Sequence, residues 1–176
     1  LDHAGSTAKK AALRINAAKR RDALHAASGE AGRYIADLFL ETWSPPPGTV
    51  VSAFWPIRSE LDLRPLMHLL HERGCGIALP IVVRRRTALV FRRWTPEMVL
   101  EEGNFGVPTP SADALELDPD WLLVPLLAFD QHGYRLGYGG GFYDITLAAL
   151  RARKSVFAIG AAYDGQKVEN VPRQAD

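Results

Sequence analysis

The stretch Asp120-WLLVPLLAFDQHGYRLGYGGGFYDITLAAL-Arg151 empties an apolar run into a glycine-dense loop, and a helical pattern opens directly behind it. Gly133, Gly137, Gly139, Gly140 and Gly141 crowd together there, with Arg135, Leu136, Tyr138, Phe142, Tyr143 and Asp144 set among them. Such glycines leave backbone N–H groups uncovered and let a polyanion approach the main chain. A helix starting near Phe142 adds its positive N-terminal end. Arg135 supplies a fork for phosphate, and Asp144 a hard oxygen ligand for magnesium. The pattern suits a nucleotide-phosphate cradle; a glycine-rich hairpin or helix cap without a ligand is the plainer alternative. It is not a P-loop, because no lysine lies between Gly133 and Lys154, and counting from Gly137 the sixth position of a dinucleotide fingerprint is Phe142, not glycine.

Working outward, the flanking segments predict alternating layers. Helices are expected over Thr7–Ser28, over a second segment whose inward stripe is Tyr34, Ile35, Leu38, Phe39 and Thr42, over Pro65–Arg73 and over Phe142–Arg153. Leu66, Leu69 and Leu70 should face inward, with Gly74 closing the third helix. Strands are expected at Val50–Trp55, Trp121–Phe129 and Ser155–Tyr163, with a hairpin of Gly76–Val83 and Ala88–Trp94. Pro125 argues for a bulge or an edge position. Thr95–Asp120 reads as a long irregular connection. The order predicts a layered α/β/α sandwich with a mostly parallel, Rossmann-like central sheet, and ligands beyond the carboxyl ends of its strands.

Composition narrows the function classes. With 176 residues, 47% apolar and 23% charged, a single domain over 1–176 is expected, burying about 70% of its unfolded surface. Lysine and arginine number 21 against 20 acidic residues, for a net charge of +1, which gives no field to recruit nucleic acid or membrane. Cys75 is the sole cysteine, consistent with a reducing cytoplasm. No apolar run nears the ~18 residues of a membrane span. The chain starts at Leu1 without methionine and stops at Asp176, so both ends are read as incomplete.

Three further constellations have competing readings. Phe54, Trp55 and Glu60 follow a strand and could clamp a flat heterocycle, or Trp55 packs in the core while Glu60 caps the next helix. Lys10 and Arg14 share a helical face as a phosphate clamp or as a solvated surface. Arg84-Arg85-Arg86 with Arg92 and Arg93 make a basic hairpin, a weak nucleic-acid signal in a nearly neutral chain. His68 and His71 lack a third zinc ligand, and Ser52, Ser59 and Ser111 lack a nucleophile elbow.

Taken together, the motifs resemble the 5-formyltetrahydrofolate cyclo-ligases, also called 5,10-methenyltetrahydrofolate synthetases. Phe129–Asp144, reading F-D-x-x-G-x-R-L-G-Y-G-G-G-F-Y-D, is similar to that family's signature. Lys10-A-A-Leu13-Arg14, Trp55-P-I-R-S-Glu60, Pro80, Gly103-N-F-G-V-P-T-Pro110, Ala158-I-G-A-A-Y-D-G-Gln166 and Pro172 join it in order. The resemblance implies an ATP- and magnesium-dependent ring closure of 5-formyltetrahydrofolate through a phosphorylated formyl group, in a cytoplasmic enzyme expected to be a monomer. It implies ATP binding by Lys10, Arg14, Arg135, Leu136, Gly137, Tyr138, Gly139, Gly140, Gly141, Phe142 and Tyr143. Substrate contacts fall to Trp55, Glu60, Tyr138 and Phe142, catalysis to Arg135 and Asp144, and magnesium to Asp144. Phe142 stands where tyrosine is more usual, Ile145 where a basic residue is typical, and Trp55 is larger than the aliphatic residue of some relatives. A second magnesium aspartate is expected one step past Asp176, so Asp176 in a shifted register and a residue beyond the chain are both open. A relative that binds without turnover is the alternative function, although the complete charged set of Lys10, Arg14, Glu60, Arg135 and Asp144 disfavours it.

Overall fold

A computed structural model describes residues 3–172. Asp176, one of the two open candidates for a second magnesium ligand, lies outside them. Four helices, α1 (His3–Ala27), α2 (Ala31–Thr42), α3 (Arg64–Glu72) and α4 (Phe142–Arg151), flank the central sheet. Its five strands are β1 (Val50–Ser52), β2 (Gly76–Ile81), β3 (Val90–Trp94), β6 (Trp121–Pro125) and β9 (Phe157–Ala161). Short strands β4 (Glu101–Glu102) and β5 (Pro108–Thr109) pair within the otherwise irregular connection, and β7 (Ala128–Phe129) pairs with β8 (Arg135–Leu136).

The sheet order is β3-β2-β1-β6-β9. β1 runs parallel to β2 and β6, and β6 parallel to β9; only β3 is antiparallel, through the expected hairpin. The layered α/β arrangement with a mostly parallel sheet is therefore the one observed. Side-chain alternation explains why both faces are covered. Val51, Ile77, Leu79 and Leu123 join Phe39 of α2 and Leu66, Met67 and Leu70 of α3 in one core. Ala78, Leu122 and Val124 point the other way, onto Leu147 and Leu150 of α4. α1 sits over a smaller cluster in which Ala17 meets Leu127, Ala128, Leu136 and Val171.

Several local expectations are corrected. The α2 stripe is rotated: Tyr34, Leu38 and Thr42 are exposed, while Ala36 and Phe39 are buried. Gly32 lets this face pack inward, because a Cβ there would lie 2.6 Å from the Asp62 carbonyl oxygen. Helix α2 approaches α3 along that side, and only a residue without a side chain permits it. Met67 is fully buried, whereas Leu69 is only partly so. Helix α3 ends as expected, with Gly74 N bonded to His71 O (2.9 Å) and Cys75 N to Leu70 O (3.0 Å), the paired bonds of a Schellman cap.

The expected strand Trp121–Phe129 divides after Pro125, and Leu126–Leu127 turns the chain into β7. Pro125 ends a central strand, but β1 pairs only with Trp121 and Leu122, so at Pro125 the β1 side is a local edge where no N–H is needed. β1 likewise stops at Ser52 rather than Trp55, and the chain leaves the sheet there. Among the described residues no helix is long and apolar enough to cross a membrane.

Gly32→Ala should lower stability by about 1–3 kcal/mol, the usual range for overpacking. Gly29→Ala, in open space, should stay within about 0.5 kcal/mol. Urea unfolding midpoints check both.

Candidate active site

Strand order reverses between β1 and β6: the chain leaves β1 toward β2 on one side and leaves β6 toward β9 on the other. In open parallel sheets the carboxyl ends of such neighbouring strands diverge and leave a crevice. The segment after β1 carries Trp55 and Glu60, and the segment after β6 carries the β7–β8 hairpin and the glycine loop.

The hairpin is held from behind. Asp130, 3% exposed, accepts through Oδ1 from His132 N (2.9 Å) and Tyr134 N (3.1 Å), and through Oδ2 from Val171 N (3.0 Å). The Val171 N–H, with the other two N–H groups, holds its carboxyl below the ordinary carboxylate range against the opposing effect of burial. Gln166 bridges a second place: its Nε2 donates to Leu126 O (2.9 Å) and Leu127 O (3.0 Å), and its Oε1 accepts from Tyr163 N (2.9 Å). These buried bonds fix the turn that follows Pro125.

In the loop itself, Gly139 (φ 99°) and Gly141 (φ 68°) adopt left-handed conformations that side chains disfavour. Arg14 Nε donates to Gly137 O (3.0 Å), and a Cβ on Gly139 would stand 3.3 Å from the Arg14 guanidinium carbon. At Gly140 a Cβ would be 2.6 Å from the Phe142 ring. Among the described residues, the N–H groups from Gly137 to Gly141 donate to no backbone carbonyl. Gly141 is the N-cap of α4, so these donors and the helix end share one place.

Charged groups gather around it. Arg135 Nη2 pairs with Asp144 Oδ1 at 2.7 Å, and the Asp144 side chain is 73% exposed in the first turn of α4. Lys10 lies one helical turn before Arg14 on α1 and is half-buried. Leu136 is buried in the cluster beneath the hairpin, and the Phe142 ring packs toward the α4 core. Tyr143 also packs there, and its hydroxyl is buried without a hydrogen-bond partner among the described residues. Burial first, then the nearby Glu60 charge, pushes that phenol well above its ordinary pKa.

Glu60 resolves one of the open alternatives. It caps no helix: the N-cap of α3 is Leu63, with no side-chain cap bond, and Asp62 just ahead of it accepts from Arg64 N through Oδ1 (3.0 Å). Glu60, 5% exposed, instead meets the glycine loop: Tyr138 Oη donates to its Oε1 at 2.5 Å, and Ile57 N donates to its Oε2 at 3.0 Å. Burial raises the Glu60 pKa, offset in part by Tyr138, the Ile57 N–H, Arg21 and Arg58. The Tyr138 phenol is raised in turn, by burial first and then by the Glu60 charge. Trp55 is half-buried against the core, with the Arg64 guanidinium 5.5 Å from its ring centre.

Thus Glu60, Tyr138, the glycines, Arg14, Arg135 and Asp144 converge, while Lys10 and Trp55 flank them without a direct bond to the set. Arg21, Asp22 and Ser59 were missed from the sequence. Arg21 Nε donates to Ser59 Oγ (3.0 Å), Arg21 Nη1 donates to Tyr138 Oη, and Ser59 Oγ donates to Asp22. The available signal was an arginine standing one turn after Ala17, on the apolar side of a helix.

The model of the 5-formyltetrahydrofolate cyclo-ligase family matches residues 6–176. A 5-formyltetrahydrofolate cyclo-ligase of Haemophilus influenzae is 33% identical over 129 residues, covering 70% of this chain and 68% of that protein. Its namesake in Escherichia coli K12 is 35% identical over 127 residues, or 69% of each chain. The solved structure of a 5,10-methenyltetrahydrofolate synthetase from Aquifex aeolicus superposes with a TM-score of 0.73 at 29% identity, covering 94% of this chain and 84% of the other. One from Mycoplasma pneumoniae, at 24% identity and a TM-score of 0.71, shares the fold over 95% of this chain and 91% of its own.

Asp130→Asn should lower thermal stability at neutral pH, since an amide has one acceptor oxygen where the carboxylate uses two. Because the folded pKa is depressed, the wild-type contribution is complete above the unfolded value of ~3.9 and fades as pH falls through the folded one. The acid limb of a Tm-against-pH curve should therefore be shallower in the variant.

Proposed function

The chain belongs to the 5-formyltetrahydrofolate cyclo-ligase family, and from that premise we propose that it closes the ring of 5-formyltetrahydrofolate to give 5,10-methenyltetrahydrofolate, ADP and phosphate. The observation that carries this reading is the Tyr138–Glu60 hydrogen bond, which joins a phosphate-type loop to a buried carboxylate suited to a heterocycle. On this reading the two halves of a two-substrate site meet at that bond.

The chemistry asks little of the protein beyond placement and charge. The formyl oxygen attacks the γ-phosphorus, and the bond from that phosphorus to the bridging oxygen of ADP breaks. An imidate-like phosphate results, in which a poor leaving oxygen has become a good one. Nitrogen 10 then attacks the activated carbon and loses its proton as phosphate departs. No nucleophilic side chain is needed.

Each residue has a task in this scheme. Lys10 and Arg14 neutralise phosphate charge from α1, and the Gly137–Gly141 N–H groups, with the α4 N-terminus, receive phosphate oxygens. Arg135 exchanges Asp144 for the transferring phosphoryl group, whose charge it stabilises. Glu60 accepts N–H bonds from the pterin, Tyr138 and Phe142 line the junction of the two substrates, and Trp55 bounds the pterin side.

Magnesium fits this donor set in a limited way. Among the described residues no cluster of three His, Cys, Asp or Glu side chains could cage an ion. A lone exposed carboxylate beside a polyphosphate suits magnesium, which keeps water and phosphate oxygens as most of its ligands. Asp144 would be that carboxylate, and the bound ion would neutralise β- and γ-phosphate oxygens.

Mixing the protein with 5-formyltetrahydrofolate, ATP and magnesium should produce the near-ultraviolet band of the methenyl product only when all three are present. Folate or ATP binding without that band would move the function to a non-catalytic module. Asp144→Ala should cut kcat by about 100-fold or more with an unchanged circular dichroism spectrum. Arg135→Ala should impair ATP use far more than folate binding, and equal losses would remove its phosphate role. Because burial raises the Glu60 pKa, its carboxylate protonates above the ordinary ~4.3. Folate kcat/KM should therefore fall on the acid side at a pH above that value, and Glu60→Gln should erase that limb.

A further inference from the structure

We propose that Arg21 is a positioning residue for folate recognition, holding Glu60 and Tyr138 together so that the carboxylate meets the heterocycle in a fixed orientation. The proposal rests on the reading of Glu60 as the pterin contact.

Arg21 is 3% exposed, deep on the inner side of α1. Its fork reaches two segments at once: Nε donates to Ser59 Oγ at 3.0 Å, and Nη1 donates to Tyr138 Oη. Its Nη1 also stands 3.9 Å from Glu60 Oε1, and its guanidinium carbon lies 5.5 Å from the centre of the Tyr138 ring. Ser59 is fixed in turn by donating to Asp22 on the same helix. The Tyr138 hydroxyl therefore accepts from Arg21 and donates to Glu60, which fixes the direction of the proton in that bond.

Glu60 has one oxygen tied to the Ile57 N–H and the other to Tyr138. A ligand that presents adjacent N–H donors has to share or replace the Tyr138 bond. Arg21 stands behind both groups and remains when that exchange occurs. It keeps countercharge at the carboxylate and prevents the side chain from swinging free. A lysine would supply the charge but not the planar fork that reaches Ser59 and Tyr138 together. The main chain of the glycine loop is held instead by Arg14, through Gly137 O. Arg21 touches that loop only through Tyr138, so its influence should divide unequally between the two substrates.

The test is steady-state kinetics on the whole protein with each substrate varied, together with fluorescence titration of 5-formyltetrahydrofolate in the absence of ATP. Arg21→Met should raise the folate KM and Kd by about tenfold or more, the loss expected for a charge-assisted contact. KM for ATP and kcat should stay within about threefold. Arg21→Lys should recover part of the folate affinity. Ser59→Ala, a milder change that serves if Arg21→Met does not fold, should raise folate KM about two- to fivefold. Unchanged folate KM in the variants that fold, or folate and ATP KM rising in parallel, overturns the proposal. A wild-type protein that binds no folate overturns both this proposal and the cyclo-ligase reading. One that turns over normally beside an Arg21→Met variant indistinguishable from it overturns only the role of Arg21.

Discussion

A guanidinium withdrawn from water must be surrounded by acceptors, and Arg21 meets that demand only if three segments far apart in the chain come together. Helix α1 brings the arginine, the turn after β1 brings Ser59 and Glu60, and the glycine loop brings Tyr138. Removing one partner from a buried charged pair typically costs about 3–5 kcal/mol. The cluster thus enforces the arrangement more strictly than apolar packing alone, which tolerates small displacements. The Tyr138 hydroxyl, the Ile57 N–H and the Arg21 countercharge offset part of what burial at 5% exposure costs the Glu60 carboxylate.

The sheet sets where that cluster can form. Parallel strands β1, β6 and β9 deliver their chain ends to one edge, and the order reverses between β1 and β6, the place where open parallel sheets generally leave a crevice. Pro125 ends β6 where β1 no longer needs a partner, and the chain is freed to turn into the hairpin. Asp130 and Gln166 then satisfy backbone groups that such a turn would leave buried and unbonded. Rigid support behind a glycine loop is what allows its uncovered N–H groups to stay aimed at one place rather than collapse onto the protein.

Ion pairs at the site have a different character. Arg135 and Asp144 bond at 2.7 Å, yet the carboxylate is mostly in solvent. Such a pair is weak, within about 1 kcal/mol, and in the proposed reaction phosphate would separate it. The buried Glu60 cluster and the exposed Arg135–Asp144 pair suit opposite tasks: one holds geometry, the other is easily exchanged.

The sequence by itself determined what depends on neighbours in the chain. Periodicity marked the helices and most strands, their order gave the layered α/β class, and the glycines around Tyr138 marked the loop that opens α4. The ordered motifs, from Lys10 to Gln166, named the family that the comparison also gives. Tertiary structure decided what depends on contacts across the chain. The α2 face that packs inward is the one where Gly32 passes the Asp62 carbonyl, a close approach that no helical pattern encodes. Glu60 looked like a helix cap because its local surroundings favour one, whereas its partner Tyr138 lies 78 positions away. Arg21 looked like one more basic residue on a basic helix until folding brought Ser59 and Tyr138 to it. Burial of a polar group is a property of the assembled fold, and only there does an ordinary arginine come to join α1 to Ser59 and Tyr138.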